Sequence, residues 1–531
     1  MTAPPVDGSA ARRAACSAAA ASRRTRTARS AALVAAVTLL MSACGVRVNS
    51  SLRDRAAEAQ LGEGGALSAG AGGGMLSGTG TGASSGTGAG NGTAVAGSAS
   101  AANSGTGAAN GTGGGASSSS GPGTAGGSGG GSASTKGGGT VPVTLPAGGN
   151  GGATDVGVTA NSILLGNVSD LSGPVPGLFQ GAVTGTQAYI NYINSQGGIY
   201  GRDLKLATSD SQTSCSQTES SYSSLVSKVF AFVGSFGLYD NCGASVLSQH
   251  SNVPAVQYML SNQGLALPND FSVDPLTGGY PTGMFTYFKN KLGAAAVQNV
   301  GTIYSNIPSA QAQANSINAA AQSQGWKFTY TRGVGATETN FTADIVRMQS
   351  QNVKVVFVVA ATAQICATLV DEANQQNWHP IFVLPVAYAQ NFVQLAGGAS
   401  AVEGIYGSEL YSLFTSPADA SAIPEVALYQ QWMKRTDPNQ PEDLFSMYGW
   451  AETALFVQAL KAAGPKATQA GLMAALKSVH SFDDNGMVGP ADPAGKVPTH
   501  CYVLWQIHSG QFQRLDTPST GFRCDGQFYK G

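Results

Sequence analysis

Charge is scarce in this sequence. Lysine, arginine, aspartate and glutamate together make up 11% of 531 residues, and the formal net charge is −1. A nucleic-acid partner is not expected, because gripping a phosphate backbone needs a dense basic face that releases counterions. Histidine is scarcer still. His250, His379, His480, His500 and His508 are scattered at spacings that suggest no metal site. No Gly-x-Ser-x-Gly elbow joins a strand to a helix, and no Gly-x-x-x-x-Gly-Lys-[Ser/Thr] loop is present to cradle phosphates. Neither catalytic residues, nor a metal, nor a cofactor is expected. The apolar run Ala31–Met41 is too short to span a bilayer as a helix.

What is abundant is glycine, with 72 residues, roughly half of them between Gly62 and Gly152. There the chain is Gly, Ser, Ala and Thr with little else. Such a composition cannot bury enough apolar surface to offset its ordering entropy, so 45–153 reads as a disordered tether. About 100 residues of flexible coil reach roughly 55 Å. Ahead of it, Arg12, Arg13, Arg23, Arg24, Arg26 and Arg29 form a basic region before the apolar run. This is the pattern of an export signal over residues 1–44. Leu40-Met41-Ser42-Ala43-Cys44 resembles the lipobox of bacterial lipoproteins, which implies lipidation of Cys44 and an anchor on the outer face of the cytoplasmic membrane.

The composition changes at Asp155. Ser162–Val168 is a strand-like apolar run, followed by a turn at Gly173-Pro174. Ala182, Val183, Thr186, Ile190 and Ile193 then recur at helical spacing, and Asp203–Ser209 alternates as a strand. A helix through Tyr222–Lys228 precedes a strand at Val229–Val233. The alternation continues with strands at Asn299–Tyr304, Lys327–Tyr330, Val353–Ala360 and Pro380–Leu384. Helices at Ala310–Gln324, Phe341–Gln349 and Cys366–Gln376 separate them. Continuous apolar strands alternating with helices mean parallel sheets covered on both faces. The expected class is α/β, with two doubly wound parallel-sheet lobes.

The motifs resemble a known family in their order. Asp170-Leu171-Ser172-Gly173-Pro174-Val175 after the first strand, and Ile193-Asn194 with Gly197-Gly198-Ile199 and Gly201-Arg202 before the second, are two of them. Val253-Pro254, Asn340-Phe341-Thr342, Tyr448-Gly449-Trp450-Ala451 and Gln506-Ile507 with Gly510-Gln511-Phe512 are the others. Together they are similar to the type I periplasmic solute-binding proteins of branched-chain amino acid and amide ABC transporters. The Gly-Gly-Ile and Gly-Arg residues also have a structural explanation, since glycine supplies the positive φ of a helix-to-strand reversal.

The resemblance implies a three-segment hinge, with lobe one over 155–275 and 410–490 and lobe two over 276–409 and 491–531. It further implies a monomer that captures a small polar solute (an amino acid, amide or related compound) between the lobes and delivers it to an ABC transporter permease. A ligand-sensing input acting through a membrane receptor is the alternative. In amino-acid-binding relatives the loop after the third strand carries serines that hold an α-carboxylate. This sequence has Phe236, Gly237, Leu238, Tyr239 and Asp240 there, which favours an amine or amide donor, unless Asp240 merely caps the next helix.

By the same analogy Leu178 and Phe179 form a wall, and Phe445 is a candidate from the third segment. Ser261, Asn262, Thr362, Gln364, Tyr388 and Gln390 follow strand ends, Thr362 being equally suited to an N-cap. The five cysteines after Cys44 are odd in number, so one thiol is free or pairs elsewhere. The family's disulfide in this region implies Cys215–Cys242; Cys501–Cys524 would tie down the tail, leaving Cys366 as a buried thiol.

Overall fold

The computed structural model describes residues 144–275, 279–516 and 518–530. The expected export signal, the lipidation site expected at Cys44 and the expected tether as far as Val143 lie outside the described residues. Ordered contacts begin ahead of Asp155. Asn150 is buried, its Nδ2 donates to the carbonyls of Ala160 and Tyr200, and its own carbonyl accepts from Arg202. Asn150 and Gly152 thus pack with the folded unit, their carbonyls accepting from the buried Arg202.

The first sheet has the order β2-β1-β3-β4-β5 and is parallel throughout. Its strands are β1 (Ser162–Ser169), β2 (Asp203–Asp210), β3 (Ala231–Val233), β4 (Ala255–Val256) and β5 (Asp270–Phe271). Between them run α1 (Gln180–Ser195), α2 (Cys215–Leu225), α3 (Asp240–Gln249) and α4 (Asn262–Ala266). In α1 the predicted positions Ala182, Thr186, Ile190 and Ile193 are buried, and Val183 is half-buried. Helix α2 starts earlier than its apolar residues suggest: its first turns, Cys215–Glu219, are polar and carry no periodicity. Cys215 is joined there to Cys242 of α3.

After β5 the chain crosses to a second sheet of order β13-β12-β11-β10-β9-β7-β8. It contains β7 (Val300–Ser305), β8 (Phe328–Val334), β9 (Val355–Val358), β10 (Ile381–Val383) and β11 (Tyr406–Glu409), with β12 (Val503–His508) and β13 (Gln511–Arg514) as an antiparallel edge. Helices α5 (Gly283–Leu292), α6 (Pro308–Ser323), α7 (Thr342–Ser350), α8 (Ala363–Gln375) and α9 (Phe392–Leu395) connect it. Strand β9 shows why its sequence is apolar without interruption. Val355 and Phe357 enter one core layer and Val356 and Val358 the other, so both faces are covered.

Beyond β11 a third segment carries α10 (Pro417–Ala422), α11 (Pro424–Thr436), α12 (Leu444–Ala463) and α13 (Gln469–Leu476). Helix α12 packs against α1 of the first sheet. A Cβ on Gly185 would lie 1.9 Å from the Ser446 carbonyl and one on Gly449 2.2 Å from that of Ala182, so only glycine permits this approach. The chain then returns to β12, and β14 (Phe528–Lys530) pairs with β6 (Gly279–Pro281) just past the first crossing. Cys501–Cys524 fastens this tail, while Cys366 is a buried free thiol. Among the described residues no helix is long and apolar enough to cross a membrane.

Candidate functional site

Parallel strands aim their carboxyl ends one way, and loops at those ends gather side chains from several elements. Here the loops after β1, β3 and β4 face those after β7, β9 and β10 across a cavity of about 140 Å³. The first sheet contributes Leu178, Phe179, Phe236, Leu238, Tyr258 and Leu260. The second contributes Ser305, Ile307, Gln313, Val359, Thr362 and Val386. The crossings and α12 contribute Tyr280, Glu409, Leu410, Tyr411, Phe445 and Tyr448. Apolar side chains dominate this lining. Among the described residues it contains one carboxyl group, Glu409, and no lysine, arginine or histidine.

One wall is a continuous run of rings. Phe236 lies 4.5 Å from Phe179, 5.0 Å from Phe445 and 4.7 Å from Tyr258, centroid to centroid. Tyr258 in turn lies 4.5 Å from Tyr448. Phe236 and Tyr258 are stacked and the other pairs are tilted or edge-on, contacts that hold the rings rigidly along the cavity. On the opposite side Ala360 adopts φ 46°, a left-handed conformation strained for alanine, directly on the cavity lining.

Three buried acids, Glu452, Asp274 and Glu409, lie at or against the crossings. Glu452 of α12 accepts from Ser272 Oγ at 2.8 Å and from the Val273 amide, and burial raises its carboxyl well above the usual range. Asp274 accepts from the Tyr448 hydroxyl at 2.9 Å, and burial pushes it up to about 7. Burial pushes Glu409 up to about 8, against the opposing hydrogen bonds from Tyr411 and Trp505. Asp210 goes the other way. Burial alone would raise it, but hydrogen bonds from the Ser172 hydroxyl and from the Gln212, Leu171 and Ser172 amides hold it below the ordinary carboxylate range. That anchor fixes the turn carrying Leu178.

Of the expected site residues, Leu178, Phe179, Phe236, Thr362 and Phe445 meet on the cavity, with Leu238 of the same loop as Phe236. Thr362 is also the N-cap of α8, its Oγ1 accepting from the Ile365 amide. The others lie elsewhere. Asp240 accepts at Oδ2 from the amides of Leu260 and Ser261 at 2.9 and 2.8 Å and from Ser261 Oγ at 3.0 Å. It therefore ties the start of α3 to the loop after β4, and burial pushes its carboxyl up to about 6. Tyr239 is the N-cap residue of α3, and Gly237 sits near Asp170 and Ser211 behind the wall. Ser261 caps α4, whereas Asn262, Gln364 and Gln390 are exposed. Tyr388 is fully buried among Phe414, Trp505 and Phe512, its hydroxyl accepting from the Thr415 amide and hydroxyl.

Sequence reasoning missed Tyr280, Gln313, Glu409 and Tyr411. The last two flank the second crossing, where the signal was a carboxylate and a tyrosine in a strand-like run. Two sulfur-rich groups, Cys215 and Cys242 with Glu219 and Cys501 and Cys524 with His500, are the disulfides themselves, whose sulfurs are not thiolates.

Several solved structures share this fold. A fatty acid ABC transporter substrate-binding protein from Thermomonospora curvata is 18% identical, with a TM-score of 0.56 over 73% of this chain and 97% of its own. A branched chain amino acid ABC transporter from Thermus thermophilus with bound valine is 16% identical, with a TM-score of 0.58 over 68% of this chain and 97% of its own. An ABC transporter solute binding protein from R. palustris in complex with benzoate is 14% identical, with a TM-score of 0.55 over 69% and 98%. No curated protein matches the sequence. The architecture is the type I periplasmic binding protein fold, and the model of the family described as periplasmic binding protein matches residues 162–511. That stretch covers well over half of the chain, which therefore belongs to the periplasmic binding protein family.

Proposed function

We propose that this protein is a lipid-anchored, extracytoplasmic solute-binding protein that captures a small solute in the cleft between its two sheets and delivers it to the permease of an ABC importer. The observation that carries the reading is the cavity itself, walled by loops from both sheets and by the crossings between them. A solute held there touches both lobes, so its binding energy favours the closed arrangement that a permease can read. The export signal and the Leu-Met-Ser-Ala-Cys44 sequence support the anchor.

The lining moves the expected solute away from a small polar molecule toward one with an apolar body. An apolar cavity of about 150 Å³ holds a benzene ring, and this one is about 140 Å³. A single ring or a short branched chain fits that space. Valine and benzoate, bound in two of the structures above, both have an apolar body with a small polar end.

The test is a thermal-shift and calorimetric screen of the purified chain against valine, short-chain fatty acids, benzoate and benzamide. A solute at about 100 times its Kd adds roughly 2.7 kcal/mol of stability. Phe236→Ala, which removes the central ring of the wall, is expected to weaken the best solute at least tenfold. Absence of stabilisation by every compound would overturn the reading.

A further inference from the structure

The cleft is apolar except at one end, and that end is built around a carboxyl group. Glu409 closes β11 where the chain leaves the second sheet, and it is 5% exposed. Its Oε1 accepts from Trp505 Nε1 at 2.8 Å, and the Tyr411 hydroxyl also bonds to it. Among the described residues the lining holds no cation to compensate a negative charge. A carboxyl group in such surroundings keeps its proton instead of staying ionised.

The groups facing Glu409 reinforce this. Tyr280 comes from β6, Tyr388 from the loop after β10 and Tyr411 from the crossing itself. Burial raises all three phenols, so none is charged in the working pH range. Asp274, the next acid along, shares Tyr280 as a neighbour and is bonded to the Tyr448 hydroxyl with its Oδ1 unpartnered. It supplies no positive charge either. A neutral carboxyl group has an O–H to give besides the acceptor oxygens that Trp505 and Tyr411 engage, and Glu409 lines the cavity.

We infer that Glu409 is the specificity-determining group of the cleft: as a neutral carboxylic acid it donates a hydrogen bond to an acceptor oxygen on the polar end of an apolar solute. This inference rests on the proposed solute-binding role and adds the chemistry that selects the solute. A carbonyl or carboxyl oxygen is accepted, whereas an apolar solute without one leaves the donor buried and unpaired. An ammonium offers the neutral acid no acceptor.

The probes are benzamide, benzoate and benzylamine, which share one ring and differ in the polar end. Calorimetry of the full chain at pH 6 and pH 9 measures each Kd, and far-UV circular dichroism checks that the fold persists. If only the protonated form of Glu409 binds and it titrates at about 8, the competent fraction falls about tenfold across that interval and Kd rises by the same factor. In Glu409→Gln, whose amide keeps a donor without titrating, affinity for benzamide is expected within about threefold of wild type at pH 6 and flat to pH 9. Glu409→Leu is expected to lose at least tenfold.

A wild-type affinity independent of pH, or a Leu variant that binds like wild type, overturns the inference while leaving the solute-binding role standing. Benzylamine binding tightest, and more tightly as pH rises, overturns it in favour of an ionised Glu409 paired with an ammonium. Failure of all three probes and of the wider screen overturns the solute-binding role as well. The wild-type titration decides the matter even where the Leu variant does not fold.

Discussion

Asp240 separates a structural role from a ligand-binding one, and its replacement by asparagine measures which it has. The carboxylate accepts three hydrogen bonds from Leu260 and Ser261, pinning the loop that carries Tyr258 and Leu260 into the cavity wall. Burial is the largest influence on it and outweighs those hydrogen bonds, so that it titrates at about 6 instead of 3.8. At 1.36 kcal/mol per tenfold change in proton affinity, that rise corresponds to about 3 kcal/mol. The folded chain binds this proton more tightly than the unfolded one. The contribution is therefore fully present below about pH 4 and is lost as pH rises through about 6. An asparagine side chain at this position does not titrate but keeps an acceptor oxygen. Compared with wild type, Asp240→Asn should gain about 2–3 kcal/mol between about pH 4 and pH 8, read as the difference between urea melts at each pH. Solute affinity should stay within about twofold. A tenfold loss of affinity with no pH-dependent difference in stability would refute the reasoning and return Asp240 to the ligand.

Two further perturbations test other levels of the structure. Cys44→Ser is expected to release the protein from the membrane fraction while leaving its melting temperature unchanged; fractionation and a melt check this, and retention in the membrane would exclude the lipid anchor. Asp419→Asn breaks a two-point buried ion pair, in which Arg514 of β13 donates to both carboxylate oxygens at 2.8 and 2.6 Å. It leaves the guanidinium uncompensated, so denaturant melts should show a loss of about 3–5 kcal/mol, and a loss under about 1 kcal/mol would contradict that account.

The fold was legible because it rests on local periodicity. The apolar run at Val353–Ala360, bounded by helical patterns on either side, reads as a strand buried on both faces, and β9 is that strand. The positive φ of Gly197, Gly198 and Gly201 follows from the same local logic, and a Cβ on Gly198 would meet the Arg202 carbonyl at 2.1 Å. The site was less legible because it depends on where a loop goes after its strand. Tyr388 follows a strand end like a wall residue, yet the short 3₁₀ turn Pro385–Ala387 carries it into the core and leaves Val386 on the cavity. Ser261 and Asn262 were named where Tyr258 and Leu260, a few residues earlier in the same loop, reach the lining. The local signal at Glu409, a carboxylate in a strand-like run, does not disclose its character, which comes from Trp505, almost a hundred residues away, and from a lining without cations among the described residues.

The third segment explains how filling so small a cavity can be felt across the whole molecule. Helix α12 is wedged against α1 by glycine contacts and holds the first crossing through Glu452 and through Tyr448 on Asp274. The second crossing is tied to the third by the bridge between Tyr411 and Val488, and α10 is bound to β13 by Asp419 and Arg514. On the proposed solute-binding role, these anchors leave the crossings as the places where the two sheets would move relative to each other. Tyr280, Glu409, Tyr411 and Tyr448 sit on or beside those stretches and also line the cavity. A solute that contacts them shifts the balance between open and closed arrangements by its difference in affinity for the two. On that reading, the residues that would select the solute and those beside the hinge are partly the same, so closure would depend on the chemistry of what is bound.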